Sequence, residues 1–256
     1  MESTQRQAPF TGRGLQPATQ ESGTWTRSRA GVVLFGAAPQ LREPGEAELG
    51  EVTDRRVSCA GTPRTYPIFK AIGTDDPVAA LDRAETRAVE MLTGVIDELS
   101  GIQREVRDGA TPAPPLFSKE LAHAMRTRLR LDVTKRQVWT GKGPGTAEII
   151  VRWYSNVRKI ATAVNYVCLG KDCKKEWAHV FPTTRPRTIF LCRPFWTASL
   201  DNQALTIIHE LAHLYYGLEE TGGGAGNVNC LEQFVADFHG VTILPAFIRA
   251  CRPPAR

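Results

Sequence analysis

The sequence predicts an α+β fold, in which helices supply most of the core and a small antiparallel sheet lies beside them. Over long stretches of the chain, apolar residues recur every three or four positions, which is typical of amphipathic helices. Between residues 165 and 192, three short apolar segments alternate with turn-forming residues, which is typical of strands. The N-terminal part of the chain shows neither pattern. We therefore expect a largely disordered tail or linker at residues 1–70 and one folded domain at residues 71–251.

Composition supports this division. Residues 1–70 are rich in Gly, Pro, Ser, Thr, Gln and Arg, and such segments bury too little apolar surface to offset the entropy of ordering. Only a short strand at Gly31–Phe35 is expected there. The chain of 256 residues, 42% hydrophobic and 23% charged, fits a soluble globular protein without a membrane-spanning segment. No N-terminal secretory signal is recognisable, so the protein is cytosolic, is exported by another route, or lacks its leader in this sequence.

The first helix of the domain is expected to begin at Asp76 and Pro77, because aspartate is a favoured N-cap and proline is favoured at the first helical position. It is expected to end near Gly109. Its apolar stripe consists of Leu81, Ala84, Ala88, Met91, Leu92, Val95, Leu99 and Ile102. Two further helices are expected over Ser118–Leu131 and Thr146–Val164, the second of them after a glycine-rich loop.

Three short strands follow, and turn-forming residues separate them. They are expected at Asn165–Cys168, Ala178–Phe181 and Thr188–Cys192. We interpret the last of the three as an edge strand, to which another extended segment can add.

Two helices complete the domain. The first is expected over Asp201–Tyr216, with Asp201 or Asn202 as its N-cap. The second is expected over Val228–Leu244 and ends before Pro245, because proline cannot continue a helix.

The first of these two helices contains IIHELAHLYYG, residues 207–217. Residues four positions apart share one face of a helix, so His209 and His213 can bind one metal ion. A catalytic zinc ion takes three protein ligands and keeps one position for water. Glu210 is then placed to act as the general base that takes a proton from the zinc-bound water. Polar side chains are costly on so apolar a helix unless they are paired or metal-bound, which favours a zinc site.

The segment YVCLGKDCKKEWAHVFPTTRPRTIFLCRPFW, residues 166–196, followed by NQALTIIHELAH, resembles the zinc peptidases called aspzincins. That family includes deuterolysin and the peptidyl-lysine metalloendopeptidases. The resemblance covers roughly residues 80–240 and extends to NVNCLEQFV, residues 227–235, which is similar to the family's NADSYEYFA segment. It implies a zincin-like fold, a Zn²⁺ cofactor, and an extracellular or exported metalloendopeptidase. It also implies a preference for lysine after the cleaved bond, which Asn229 weakens because the family has aspartate there.

The third zinc ligand is the point at which the sequence departs from the family. Aspzincins use the aspartate of a GTxDxxYG motif, which this chain lacks, and its nearest counterpart, GLEETGGG, places Glu220 at that position. Glu232 follows His213 by the spacing that gluzincin peptidases use, on a helix that returns antiparallel to the first. We take Glu232 as the third ligand, with Glu220 and then Glu219 as alternatives. An acidic substrate-pocket role for Glu232 is also open.

Other assignments are secondary. Asp237 is a candidate to orient a ligand histidine, and His239, Tyr215 and Tyr216 are candidates to stabilise an oxyanion; surface or packing roles are the alternatives. In an oxidising compartment, disulfides are plausible for Cys173 with Cys192 and for Cys59 with Cys168 or Cys251.

The net charge of +5 is spread along the chain, and we interpret the arginines at 126, 128 and 130 as a solvated helix face and not a nucleic-acid patch. We expect a protein or peptide substrate, no nucleic-acid or membrane partner, and a monomer. Two rival functions stay open. One is a catalytically inactive zincin-fold binding module, which the missing GTxDxxYG motif favours. The other is a delivered toxin or effector protease with one protein target.

Overall fold

The structure is a computed structural model, and it describes residues 57–58, 69, 71, 73, 76–169, 173, 176–218, 220, 224–243 and 251. All of them belong to one compact unit, Pro39–Arg256. The predicted tail falls mostly outside the described residues, and the predicted strand at Gly31–Phe35 falls entirely outside them. Within the expected tail, Val57–Ser58 forms a strand, and Phe69 is buried with its ring 4.9 Å from that of Trp196.

The part of the chain that the structure describes is mainly helical. In chain order its helices are α1 Pro77–Arg107, α2 Lys119–Arg128, α3 Arg136–Thr140, α4 Ala147–Ile160, α5 Arg193–Thr197, α6 Leu200–Tyr216 and α7 Val228–Phe238. The predicted apolar stripe of α1 is buried throughout, and α1 packs against both α4 and α6. Asp76 caps α1 and Ser118 caps α2, as predicted. Helices α3 and α5 were not predicted, because five residues are too few to show a helical period.

The sheet is mixed, which corrects the expected antiparallel arrangement. Its strands are β1 Val57–Ser58, β2 Asn165–Cys168, β3 Ala178–Phe181 and β4 Arg185–Leu191, in the order β1-β2-β4-β3. β1 and β4 both pair with β2 in parallel, and only β3 and β4 are antiparallel. The short turn between β3 and β4 forces an antiparallel hairpin, whereas the long connection from β1 to β2 allows a parallel pair. The α+β class is confirmed.

The prediction that Thr188–Cys192 is an edge strand was wrong. Strand β4 pairs on both sides, so it lies inside the sheet, and β3 is the edge strand on that side among the described residues. β3 also packs against α6. The sequence shows which segments are extended, but the order of strands depends on pairings between distant residues.

The ends of the last two helices differ from the prediction. Ser199 caps α6 by accepting a hydrogen bond from the Asn202 amide, while Asp201 accepts one from Arg87 of α1 at 2.8 Å. Helix α7 ends at Phe238 and does not reach Leu244. Gly240 has a φ of 65°, a left-handed conformation that stops a helix and that glycine adopts at little cost.

Hydrogen bonds from two helices, α2 and α4, fix the position of α7. Arg128 of α2 donates hydrogen bonds to Asp237 at 2.8 Å and to Gln233 at 2.7 Å. The Tyr154 hydroxyl of α4 donates to the Leu231 carbonyl at 3.0 Å. The side chains that face α6 are therefore held in a defined register. Arg128 is a half-buried ion-pair partner and not simply part of a solvated face.

Two disulfides join described residues. Cys173 is bonded to Cys192, as predicted, and Cys230 to Cys251. The second bond excludes the predicted alternative of Cys59 with Cys251. The other alternative involves Cys59, which lies outside the described residues. None of the described helices combines the length and apolarity needed to cross a bilayer.

Candidate metal centre

Helix α6 brings the two motif histidines together on one face. The Nε2 atoms of His209 and His213 lie 3.1 Å apart, and both side chains are largely buried. Two electron-rich nitrogens that face each other so closely are the arrangement expected of ligands to one cation. The i, i+4 spacing and the packing of α6 between α1 and α7 account for this placement.

Glu220 completes a compact group with these histidines. Its Oε1 atom lies 3.5 Å from Nε2 of His209 and 3.9 Å from Nε2 of His213. The three donor atoms lie within 4.8 Å of one another. Tetrahedral zinc bonds of about 2.0–2.1 Å place neighbouring nitrogen or oxygen ligands roughly 3.3–3.4 Å apart. Shifts of roughly half an ångström would bring the group to that geometry, so the residues present fit a zinc ion.

Glu232 lies on the other side of His209. Its Oε2 atom is 2.9 Å from Nδ1 of His209, and the glutamate side chain is only 3% exposed. A carboxylate accepts hydrogen bonds, so Nδ1 carries a proton and Nε2 is the ring atom directed towards His213 and Glu220. The predicted third ligand thus lies against the nitrogen of His209 that points away from His213 and Glu220.

His213 is fixed in the same tautomer by the main chain. Its Nδ1 donates a hydrogen bond to the Leu218 carbonyl, which can only accept. The chain reaches this position because Gly217 ends α6 in a left-handed conformation, with a φ of 59°. Both histidines therefore present Nε2 towards the same point.

Glu210 is buried beside the two histidines, with 6% of its surface exposed. Burial raises its pKa to about 7; His209 opposes the shift, whereas the carboxylates of Glu232, Glu220 and Glu176 add to it. A divalent cation at the site would favour the ionised form. Glu210 is thus a carboxylate that can hold or release a proton near neutral pH.

The charge balance of the site favours a cation. In the metal-free protein, burial lowers the pKa of His209, but hydrogen bonds to Glu220 and Glu232 outweigh this and raise it to about 10. The pKa of His213 is lowered by burial and by the nearby charge of His209. The pKa of Glu220 is lowered chiefly by its hydrogen bond to His209. A proton on His209 thus supplies one positive charge among the neighbouring glutamates, and a bound metal ion would take the place of that proton.

Asp237 and His239 make their hydrogen bonds elsewhere, which supports the surface or packing alternative for each. Asp237 pairs with Arg128, so Glu232 and not Asp237 contacts a motif histidine. His239 is 2.8 Å from the Met91 carbonyl of α1 and packs against that helix.

Tyr215 and Tyr216, the other oxyanion candidates, and Glu219, the other ligand candidate, remain. The Tyr216 hydroxyl contacts Asn156 and the Trp153 carbonyl of α4, which is a packing role; its neighbour Tyr215 lies against it, with ring centroids 4.5 Å apart. Glu219, the last alternative for the third ligand, lies outside the described residues.

Three features of the site were not predicted. These are the Leu218 carbonyl on His213, the charge of Glu176 near Glu210, and a hydrogen bond from Asn227 to the main chain of Glu220. The first and third are single contacts to backbone oxygens, which leave no pattern in a sequence. The side-chain identity of Asn227 matches the resembled family segment, but its contact does not follow from that.

A second group of potential ligands lies beside the sheet: Cys173, His179 and Cys192. Both cysteines are consumed in a disulfide, so neither offers the thiolate that a metal ion needs. The group around His209 is therefore the candidate metal centre.

Comparison with known proteins gives a partial match. No protein-family model matches the chain. A stretch of 85 residues is 35% identical to a protein of Aeromonas hydrophila named extracellular protease, and it covers 30% of this chain. The match spans about a quarter of that relative's length, 24%.

Proposed function

We propose that this protein is a zinc-dependent endopeptidase, with His209, His213 and Glu220 as the metal ligands and Glu210 as the general base. The observation that carries the proposal is the convergence of two histidine nitrogens and one carboxylate oxygen beside a buried glutamate. The relative named extracellular protease supports a protease function. Glu220 replaces Glu232 as our choice of third ligand, because Glu232 lies against the far nitrogen of His209.

A zinc ion held by these residues would supply Lewis-acid activation of a water molecule and of the substrate carbonyl. Glu210 then accepts the proton that water loses as it attacks the carbonyl carbon, and donates it to the departing amine. Glu232 holds the His209 ring in the tautomer that presents Nε2, and the Leu218 carbonyl does the same for His213. The ring orientations are thus set before substrate binds.

The substrate is an extended peptide that pairs with strand β3. β3 is an edge strand among the described residues and packs against α6, the helix that carries the two histidines. Main-chain hydrogen bonds to such an edge bind peptides of many sequences. Lysine direction would need Glu232 in the substrate pocket, and its buried contact with His209 does not support that role.

We further propose that the protein works in an oxidising, extracellular compartment. Disulfides such as Cys173–Cys192 and Cys230–Cys251 persist there and are rare where thiols are kept reduced. The relative in Aeromonas hydrophila, named extracellular protease, is consistent with export.

The proposal is tested with purified protein, a peptide library and measured zinc content. We expect one zinc ion per chain, loss of cleavage on chelation, and recovery on adding zinc. Glu210→Gln should retain zinc and lose activity by about 10²–10⁴-fold, because the proton acceptor is gone. Glu105→Gln, an exposed change on α1, is the matched control. Cleavage by Glu210→Gln at the wild-type rate, or failure of the wild type to bind zinc, contradicts the proposal.

A further inference from the structure

Glu220 has to be held in place by its surroundings. It lies on the connection between α6 and α7, and its side chain is 62% exposed. An exposed glutamate on a loop samples many rotamers and backbone positions, so ordering it for a metal ion costs conformational entropy. Unless the backbone is fixed, Glu220 would be a weak ligand. The main-chain contacts of Glu220 therefore bear on zinc affinity.

Asn227 makes the contact that fixes it. The Nδ2 atom of Asn227 donates a hydrogen bond of 2.8 Å to the Glu220 carbonyl. Asn227 is fully buried and the bond is partly buried, which limits competition from water. The same side chain caps α7, because its Oδ1 atom accepts from the Asn229 amide at 2.8 Å. One amide group thus joins the Glu220 backbone to the first turn of α7.

Helix α7 also carries Glu232, which contacts His209. The two carboxylates within ion-pair distance of His209 are therefore tied to one element: Glu232 directly, and Glu220 through Asn227. Because α2 and α4 also hold α7 in register, the helix serves as a rigid support for the two glutamates.

We propose that Asn227 is a positioning residue that holds the Glu220 backbone where its carboxylate can complete the metal site. The inference rests on the proposed function, because it assigns a purpose to Asn227 only if Glu220 binds the metal ion. Two of the hydrogen bonds that Asn227 makes can be separated by substitution. The oxygen of Asn227 serves the helix, and its nitrogen serves Glu220.

Asn227→Ser separates the two roles. Serine is about as good an N-cap as asparagine, but its short hydroxyl side chain cannot reach the Glu220 carbonyl. We expect zinc affinity to fall about tenfold, as for other residues that orient a ligand, with helix content retained. Asn227→Asp keeps both the cap and the size and places an acceptor against the carbonyl, so it should also weaken zinc binding. Asp76→Ala removes the N-cap of α1 and should leave zinc affinity unchanged.

The decisive measurement is a double-mutant cycle on zinc dissociation constants, with chelator competition as the assay. If Asn227 acts through Glu220, Asn227→Ser should cause no further loss in a Glu220→Ala background. Equal affinity of the wild type and Asn227→Ser would overturn the positioning role alone. An equal loss in both backgrounds would also overturn it, because the effect would not pass through Glu220. A wild type that binds no zinc would overturn the proposed function, and this inference with it.

Discussion

The role of Glu232 gives the sharpest test of the site. Glu232→Gln keeps the size of the side chain and a hydrogen-bond acceptor for His209 but removes the negative charge. A hydrogen bond to a charged group contributes about 1.5–3 kcal/mol, against about 0.5–1.5 kcal/mol for a neutral one. The pair is 2.9 Å apart and buried on both sides, so little solvent screening applies. The change should therefore cost about 1–1.5 kcal/mol of zinc binding, which is about tenfold in affinity.

Glu220 should behave differently. Glu220→Ala removes a ligand, so we expect a larger loss of zinc affinity than for Glu232→Gln, and a changed coordination number in the cobalt-substituted protein. Glu232→Gln should leave the cobalt absorption spectrum close to that of the wild type, because an orienting residue does not touch the metal ion. Chelator competition measures the affinities, and Glu105→Gln serves as the control. The reverse order, in which Glu232→Gln removes bound metal and Glu220→Ala keeps it, would refute the reasoning.

Further predictions concern stability and pH. Gly217→Ala should destabilise the protein by about 1–2 kcal/mol in chemical denaturation, because a residue with a Cβ disfavours the left-handed conformation. The loss does not come from a clash, since an added Cβ would meet no neighbouring atom within 4 Å. Gly217→Asn should cost less, because asparagine adopts this conformation more readily. Loss of the Cys230–Cys251 bond through paired serine substitutions should cost about 3 kcal/mol, since the bond closes a loop with a sequence separation of 21; an unchanged denaturation midpoint under oxidising conditions would contradict this. Phe234→Ala should cost about 3–5 kcal/mol, because the ring is fully buried against Tyr154; a change of under about 1 kcal/mol would count against this packing. Zinc affinity should fall by about tenfold per pH unit as the pH drops below about 10, because His209, whose pKa is raised to about 10, must lose a proton to bind metal; calorimetry in buffers of different ionisation enthalpy should detect proton release, and a pH-independent affinity would exclude histidine ligands.

Local signals in the sequence predicted the elements closely. Asp76 with the following proline marked the start of α1, and the apolar stripe of α1 predicted its buried face. Strands β2 and β3 have the predicted bounds, because turn residues separate short apolar segments. The helical period also predicted that His209 and His213 face one point, since four residues complete about one turn. Caps, turns and periodicity act over a few residues, so they can be read without the fold.

Contacts between distant residues could not be read in this way. Two glutamates, 220 and 232, follow the motif at spacings that suit a ligand. Only packing shows that Glu220 faces Nε2 of His209 and that Glu232 faces Nδ1. The order of the strands also depends on long-range pairing, which moved the edge from β4 to β3.

The sequence by itself thus determined the longer helices, strands β2 and β3 and the pair of histidines, because each follows from interactions within one or two turns of chain. The tertiary structure decided which carboxylate meets which nitrogen. The position of Glu220 follows from the left-handed turn at Gly217 and the hydrogen bond from Asn227, and that of Glu232 from the register of α7 against α6. These are differences of a few ångströms in packing, and residue spacing does not encode them.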